Sequence, residues 1–214
     1  MTSVTVVDYG MGNLFSVGRA LEHVGASVVT VHSPSSIEAA DRLILPGVGS
    51  FANGMAELKQ RGIVDALKSY AASGRPFLGI CLGMQLMFEV GEEFGVHRGL
   101  GLVDGKVIAM RSETMDKGRL KVPHIGWNEL RMPPGRSGWE GTLLGRCTPG
   151  DTVYFVHSFT AWPEEEMIRL ADSYYGDQRI SAAIETGSLM GCQFHPEKSG
   201  AVGLRILKRF VEMR

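Results

Sequence analysis

The chain has 214 residues, 44% of them hydrophobic, and no long polar tract, so it can bury a substantial core as one domain over 1–214. Its 22 basic and 23 acidic residues are mixed along the chain and leave a formal net charge of −1, which excludes the electrostatic footprint of a nucleic-acid or anionic-lipid binder. No apolar run approaches the ~20 residues that span a bilayer, and MTSVTVVDYG has no basic segment ahead of its strand-like run; a cytoplasmic protein whose ligand is a small molecule or another protein is expected.

In chain order, VTVVD (Val4 to Asp8) reads as a strand, and Leu14, Val17, Leu21 and Val24 then recur at helical spacing over Asn13 to Val24. Between them, DYGMGN has Phe15 where a third glycine of a dinucleotide loop would stand. Two more strand-like runs follow, ASVVTV (Ala26 to Val31) and RLILPG (Arg42 to Gly47). A helical stretch through Met55, Leu58, Ile63 and Leu67 leads to a fourth, RPFLGI (Arg75 to Ile80). This alternation predicts an α/β fold with a central, mostly parallel sheet flanked by helices. The glycine-rich turn LPGVGSF (Leu45 to Phe51) offers backbone N–H groups around Val48 and Gly49, either as oxyanion donors or as a plain strand-to-helix turn. It also fits G-x-G-x-x-A, but the position about twenty residues on falls within a helical pattern rather than at the end of a second strand, against a dinucleotide site.

The fourth strand runs into Gly79-Ile80-Cys81-Leu82-Gly83, the G-x-nucleophile-x-G form of a sharp strand-to-helix turn that lifts one reactive side chain above the sheet edge. A thiol there sits at the positive end of a helix, which favours the thiolate, and the N–H of Leu82 is placed to join an oxyanion hole. Cys147, in a Thr-Pro-Gly loop, and Cys192, inside LMGCQF, lack this setting; an odd, sparse set of three cysteines without C-x-x-C argues against disulfides and zinc.

Beyond about Gly91 short glycine-spaced runs (GLGLVDGKVIAM, TVYFVHSF, MIRLADSYY, ISAAIE, LMGCQF) predict an added antiparallel portion, with a final helix at Ala201 to Met213. RMPPGRSGWEG (Arg131 to Gly141) reads as a surface loop. His195, after an apolar run and before Pro196, is the favoured base, with Glu197 able to project to the same side and orient it; His157, in YFVHSF, is the second candidate.

LPGVG, GICLGMQ and QFHPEKS, in this order and near these spacings, resemble the class I (triad) glutamine amidotransferases across essentially the whole chain. DYGMGN, HIGWN (His124 to Asn128) and YFVHSF are similar to motifs of the branch formed by glutaminase subunits of imidazole glycerol phosphate synthases. The resemblance implies that Cys81 attacks the carboxamide of L-glutamine, that His195 and Glu197 complete the triad, and that Val48, Gly49 and Leu82 form the oxyanion hole. It further implies that Gln85, with the backbone of Ser158 and Phe159, holds the glutamine α-amino and α-carboxylate groups. Neither cofactor nor metal is implied. The ammonia would pass, within a heterodimer, to a (β/α)₈-barrel cyclase subunit that makes imidazole glycerol phosphate and AICAR in histidine biosynthesis. The rim facing that partner would comprise Asn13, Trp127 in GWN (Gly126 to Asn128), which reads as a polar, glycine-marked loop, Tyr154 and Lys198, although Trp127 on composition alone is as readily a core residue. The charged SETMDKGRL (Ser112 to Leu120) leaves open a paralogous glutaminase feeding an N-acetyl-sugar amidotransferase of surface polysaccharide synthesis. Two further classes stay open on the same scaffold, a stand-alone γ-glutamyl hydrolase and a catalytically silent binding module; the intact Cys81, His195 and Glu197 set argues against the silent module.

Overall fold

In the computed structural model, residues 1–116 and 118–213 are described; Lys117, within the charged stretch Ser112 to Leu120, and Arg214 lie outside them. The first half alternates strands and helices: β1 (Thr2–Val7), α1 (Leu14–His23), β2 (Ala26–Val31), α2 (Pro34–Glu38), β3 (Leu43–Gly47), α3 (Phe51–Gln60), α4 (Val64–Ala72), β4 (Phe77–Cys81) and α5 (Leu82–Leu86). Side-chain oxygens of Asn13, Ser33 and Ser50 accept N–H groups of the first turns of α1, α2 and α3, supplying partners that helix starts lack. The single helical stretch expected over Met55 to Leu67 is two helices, because Gly62 adopts φ +65° and ends the first with a left-handed cap; the apolar spacing runs on across it.

The remaining elements are β5 (Phe88–Gly91), β6 (His97–Arg98), β7 (Val103–Ala109), β8 (His124–Glu129), β9 (Thr152–His157), β10 (Phe159–Pro163), β11 (Arg169–Tyr175), β12 (Gln178–Thr186), β13 (Leu189–Cys192) and α6 (Gly200–Glu212). The main sheet runs β11-β12-β13-β4-β3-β1-β2, parallel from β13 to β2 and extended by antiparallel β12 and β11. A second sheet, β10-β7-β5-β6, and the hairpin β8-β9 form the added portion. The main sheet buries both faces: Val4, Val6, Ile44, Leu78 and Ile80 pack with Val17 and Leu21 of α1 and Phe210 of α6, whereas Leu43, Leu45 and Phe77 pack with Phe51, Leu58 and Leu67 of α3 and α4. The period-two alternation along β3 and β4 assigns the faces. The Arg131 to Gly141 segment is irregular, yet its Trp139 is buried and donates its indole N–H to the Leu170 carbonyl at 2.6 Å.

The register of β3 on β4 pairs Gly47 with Cys81, so both strands end side by side and both loops above them share one edge. There α5 approaches β3 so closely that a methyl group on Gly83 would overlap the Leu45 carbonyl. Gly83→Ala is therefore expected to cost about 2–4 kcal/mol, lowering the thermal midpoint by roughly 5–15 °C in calorimetry. Gly18, inside α1 with nothing near its absent side chain, is the control: Gly18→Ala should raise stability by about 0.5–1 kcal/mol.

Candidate functional site

Cys81 ends β4 with φ 53° and ψ −109°, a conformation non-glycine residues avoid at a cost of about 1–3 kcal/mol. The flanking glycines make the turn possible, since a side chain on Gly79 would meet the Met84 amide nitrogen at 2.6 Å. The Cys81 thiol is 7% exposed; Sγ lies 3.9 Å from the Val156 carbonyl and 3.8 Å from Gln193 Nε2. Beside it, the Leu82 N–H opens α5, where a helix leaves its amides without intrahelical acceptors.

His195 reaches this pocket from beyond β13. Its extended backbone is followed by a 3₁₀ turn, Pro196–Lys198, that brings Glu197 back so that Oε1 lies 2.8 Å from His195 Nδ1. Pro196 leaves His195 extended, and Glu197 reaches the same side through the curl of the turn. The imidazole is fixed from behind. The His195 backbone N–H donates to the Tyr154 carbonyl at 2.9 Å, and the Ser199 hydroxyl donates to the His195 carbonyl at 2.7 Å while accepting the Tyr154 N–H at 2.9 Å. Nε2 is buried without a hydrogen-bond partner among the described residues. Burial alone would favour the neutral ring, but interactions with Cys81 and Glu197 outweigh it and push the His195 pKa up to about 10. A protonated imidazole beside a thiol and a carboxylate is equipped to give a proton to a leaving group.

His157 is not so placed. Its Nδ1 lies 2.9 Å from the Phe159 carbonyl and its Nε2 lies 3.0 Å from His124 Nδ1, leaving neither nitrogen for Cys81. Desolvation by burial pulls His157 down to about 3 and His124 to about 4, so both rings are neutral.

Cys81, His195, Leu82, Gly49, Gln85 and Phe159 line one cavity of about 340 Å³, together with Ser158 and Val48. Gly49 has φ +105°, which suits glycine. Val48 departs from the expectation: its N–H donates to the Met11 carbonyl at 3.0 Å and is turned out of the pocket. A loop flanked by glycines has a second acceptor within reach, in the turn after β1, and takes it. Gln85 donates Nε2–H to the Phe159 carbonyl and to Gln193 Oε1, both at 3.0 Å, leaving its carbonyl oxygen as an acceptor suited to an ammonium group. Sequence reasoning missed Gln193, which joins Gln85 to Cys81; it lies in the bend between the end of β13 at Cys192 and His195, where no strand periodicity marks it. It also missed Glu93, a carboxylate on the cavity wall held by the Phe51 N–H at 2.6 Å, which no motif marks.

Two of the four rim residues are tied to His195 through the backbone, Tyr154 by its carbonyl and Lys198 by its N–H, which donates to the His195 carbonyl at 3.0 Å. GWN is strand β8 rather than a loop, and Trp127 is 56% exposed, which removes the core reading; its ring meets that of Tyr154 edge-on at 6.0 Å and borders Gly200. Lys198 is exposed on the turn that carries Glu197, and Asn13 caps α1 through its side chain, the Ser16 N–H lying 3.2 Å from Oδ1. Among the described residues, no group of three or more His, Cys, Asp or Glu side chains is arranged to hold a metal, and no helix is long and apolar enough to cross a membrane.

The sequence model described as glutamine amidotransferase class-I matches residues 5–213. The chain is 49% identical over 213 residues to imidazole glycerol phosphate synthase subunit HisH 1 of Legionella pneumophila (strain Lens), covering 100% of both. It is 45% identical to subunit HisH of Thermosynechococcus vestitus, covering 99% of this chain and 97% of that one. Among solved structures, PurLQS from Thermotoga maritima superposes with a TM-score of 0.70 at 19% identity, covering 99% and 98%, a likeness of fold.

Because Glu197 is one of the groups that raise His195, Glu197→Gln is expected to move the histidine's titration midpoint from about 10 back toward its ordinary 6.5, read by imidazole NMR. A raised folded-state pKa contributes stability that is complete below about pH 6.5 and lost as pH climbs through the folded value, so denaturant melts of Glu197→Gln should show a smaller loss across that window.

Proposed function

Because the chain belongs to the class I glutamine amidotransferases, we propose that it hydrolyses L-glutamine to glutamate and ammonia and hands the ammonia to a (β/α)₈-barrel cyclase subunit making imidazole glycerol phosphate and AICAR in histidine biosynthesis. One glutaminase domain over 1–214 works in the cytoplasm as half of a heterodimer. The observation that carries this reading is the convergence, in one cavity, of a nucleophile on a strained turn, a histidine held by a carboxylate, and a glutamine with a free acceptor oxygen.

Cys81 Sγ, as thiolate, attacks the carboxamide carbon, and the carbonyl π electrons move to oxygen. The N–H groups of Gly49 and Leu82 stabilise that oxyanion. His195 Nε2–H protonates the departing nitrogen, the C–N bond breaks, and ammonia leaves a γ-glutamyl thioester. Water then attacks the thioester carbon, His195 Nε2 takes its proton, and the C–S bond breaks to release glutamate. Gln85 and Glu93 face the α-ammonium, and the Ser158–Phe159 backbone the α-carboxylate. Full-length relatives named as synthase subunits favour this acceptor over the sugar amidotransferase.

Val48 adds a regulatory expectation. With its N–H on Met11, the oxyanion lacks a donor, and a missing donor costs about 10²–10³ in rate. The isolated chain should hydrolyse glutamine slowly, and the cyclase bearing its acceptor ligand should raise the rate by drawing Val48 N–H into the pocket. Trp127→Ala and Lys198→Ala are expected to weaken that response while Cys81 stays reactive to iodoacetamide. Full activity from the chain alone, unmoved by the cyclase, contradicts this. The reading itself is tested by Cys81→Ala in the complex: glutamine-dependent turnover should fall by about 10⁴-fold or more, while turnover on added ammonium persists. Retained glutaminase activity overturns it.

A further inference from the structure

The hairpin β8-β9 contains a hydrogen-bond chain that the reaction steps do not use. His124 and His157 face each other across it as register partners, and their rings are linked Nδ1 to Nε2 at 3.0 Å. His124 is clamped by stacking, with Phe155 at 4.9 Å and Tyr175 at 4.3 Å between ring centres. Its other nitrogen, Nε2, lies 3.5 Å from Asn128 Nδ2.

Direction is fixed from both ends. Asn128 cannot flip its amide, because Nδ2 donates to the Tyr174 carbonyl at 2.7 Å and Oδ1 accepts the Glu129 N–H at 2.8 Å. An N–H therefore faces His124 Nε2, which must be bare, so the His124 proton is on Nδ1. That N–H faces His157 Nε2, which must also be bare, so the His157 proton is on Nδ1 and is donated to the Phe159 carbonyl at 2.9 Å. The same carbonyl takes the Gln85 Nε2–H at 3.0 Å. Two donors from different directions pin the peptide that follows the Ser158–Phe159 pair.

We propose that Asn128, His124 and His157 are positioning residues: a one-way relay that sets the Ser158–Phe159 backbone for the substrate carboxylate and whose outer end lies beside Trp127 on the partner-facing strand. The proposal rests on the reading of Ser158 and Phe159 as a glutamine subsite. It makes the hairpin a route by which docking bears on glutamine affinity rather than on the chemical step.

The test uses the chain in complex with its cyclase. Nitrogen-15 NMR of the labelled histidine rings at pH 7 should show His124 and His157 neutral with the proton on Nδ1; a charged ring, or a proton on Nε2, overturns the relay. In steady-state kinetics, His157→Phe should raise the glutamine KM about tenfold and Asn128→Leu about threefold, with kcat within about twofold, the signature of lost uniform binding. Asn128→Leu keeps the test open should His157→Phe fail to fold. An unchanged KM in Asn128→Leu, or a fall in kcat without a rise in KM, overturns the proposal while wild-type glutaminase activity leaves the proposed function standing. A wild-type complex without glutaminase activity overturns both.

Discussion

The backbone of Gly83 presses against the Leu45 carbonyl with no room for a side-chain carbon, and the geometry of the site descends from that contact. Such an approach draws the first turn of α5 down onto β3 and β4, and the chain can enter it from β4 only by turning sharply at Cys81, hence the positive φ there. The main sheet supplies the remaining alignment. Gly47 pairs with Cys81 on one side, and Cys192 pairs with Ile80 on the other, so the Val48–Gly49 turn and the run toward His195 leave the sheet at the same edge. Rigid central strands hold Cys81 between the Gly49 turn and His195, the preorganisation that the proposed reaction requires.

Three buried histidines near this edge show that burial does not dictate charge. His195 is 2% exposed and His157 6%, yet one is driven toward the imidazolium and the other away from it. His195 has a carboxylate and a thiol as neighbours; His157 has a peptide carbonyl and another neutral ring. Partners that prefer a cation offset the desolvation of His195; for His157 the Phe159 carbonyl offsets it only in part, and His124 has no such partner. The site thus holds one histidine toward its cation and two as neutral rings, the division that the proposed reaction needs.

What the sequence made legible follows the range of the interactions. The strand runs, the elbow and the His-Pro-Glu run are local patterns, and the parallel sheet follows from alternating periodicities. The split between α3 and α4 was hidden because apolar residues keep helical spacing across Gly62 while only its φ breaks the helix. Strand β8 read as a loop because its outward positions hold Ile125 and Trp127, both 56% exposed, which hides the usual alternation of buried apolar and exposed polar residues. The Val48 bond to Met11 and the His124 to His157 link depend on which segments end up adjacent. No spacing along one chain encodes that adjacency, so both appear only in the folded molecule.

The site also departs from the rule that buried polar atoms find partners. Tyr9 Oη, against Gly47, and His195 Nε2 and Glu197 Oε2 are all buried without hydrogen bonds among the described residues. Each unmet group costs about 1–3 kcal/mol, and the backbone of Cys81 adds strain. Two of these costs, at His195 Nε2 and the Cys81 backbone, fall on residues that line the cavity, whereas the Ser199 hydroxyl and the Tyr154 N–H behind His195 satisfy one another. A fold selected for stability alone would have closed the gap with local donors and a relaxed turn. Leaving it open keeps His195 Nε2 available for the proton transfer proposed in each half of the reaction, and the fold tolerates the loss because the sheet beneath is packed on both faces.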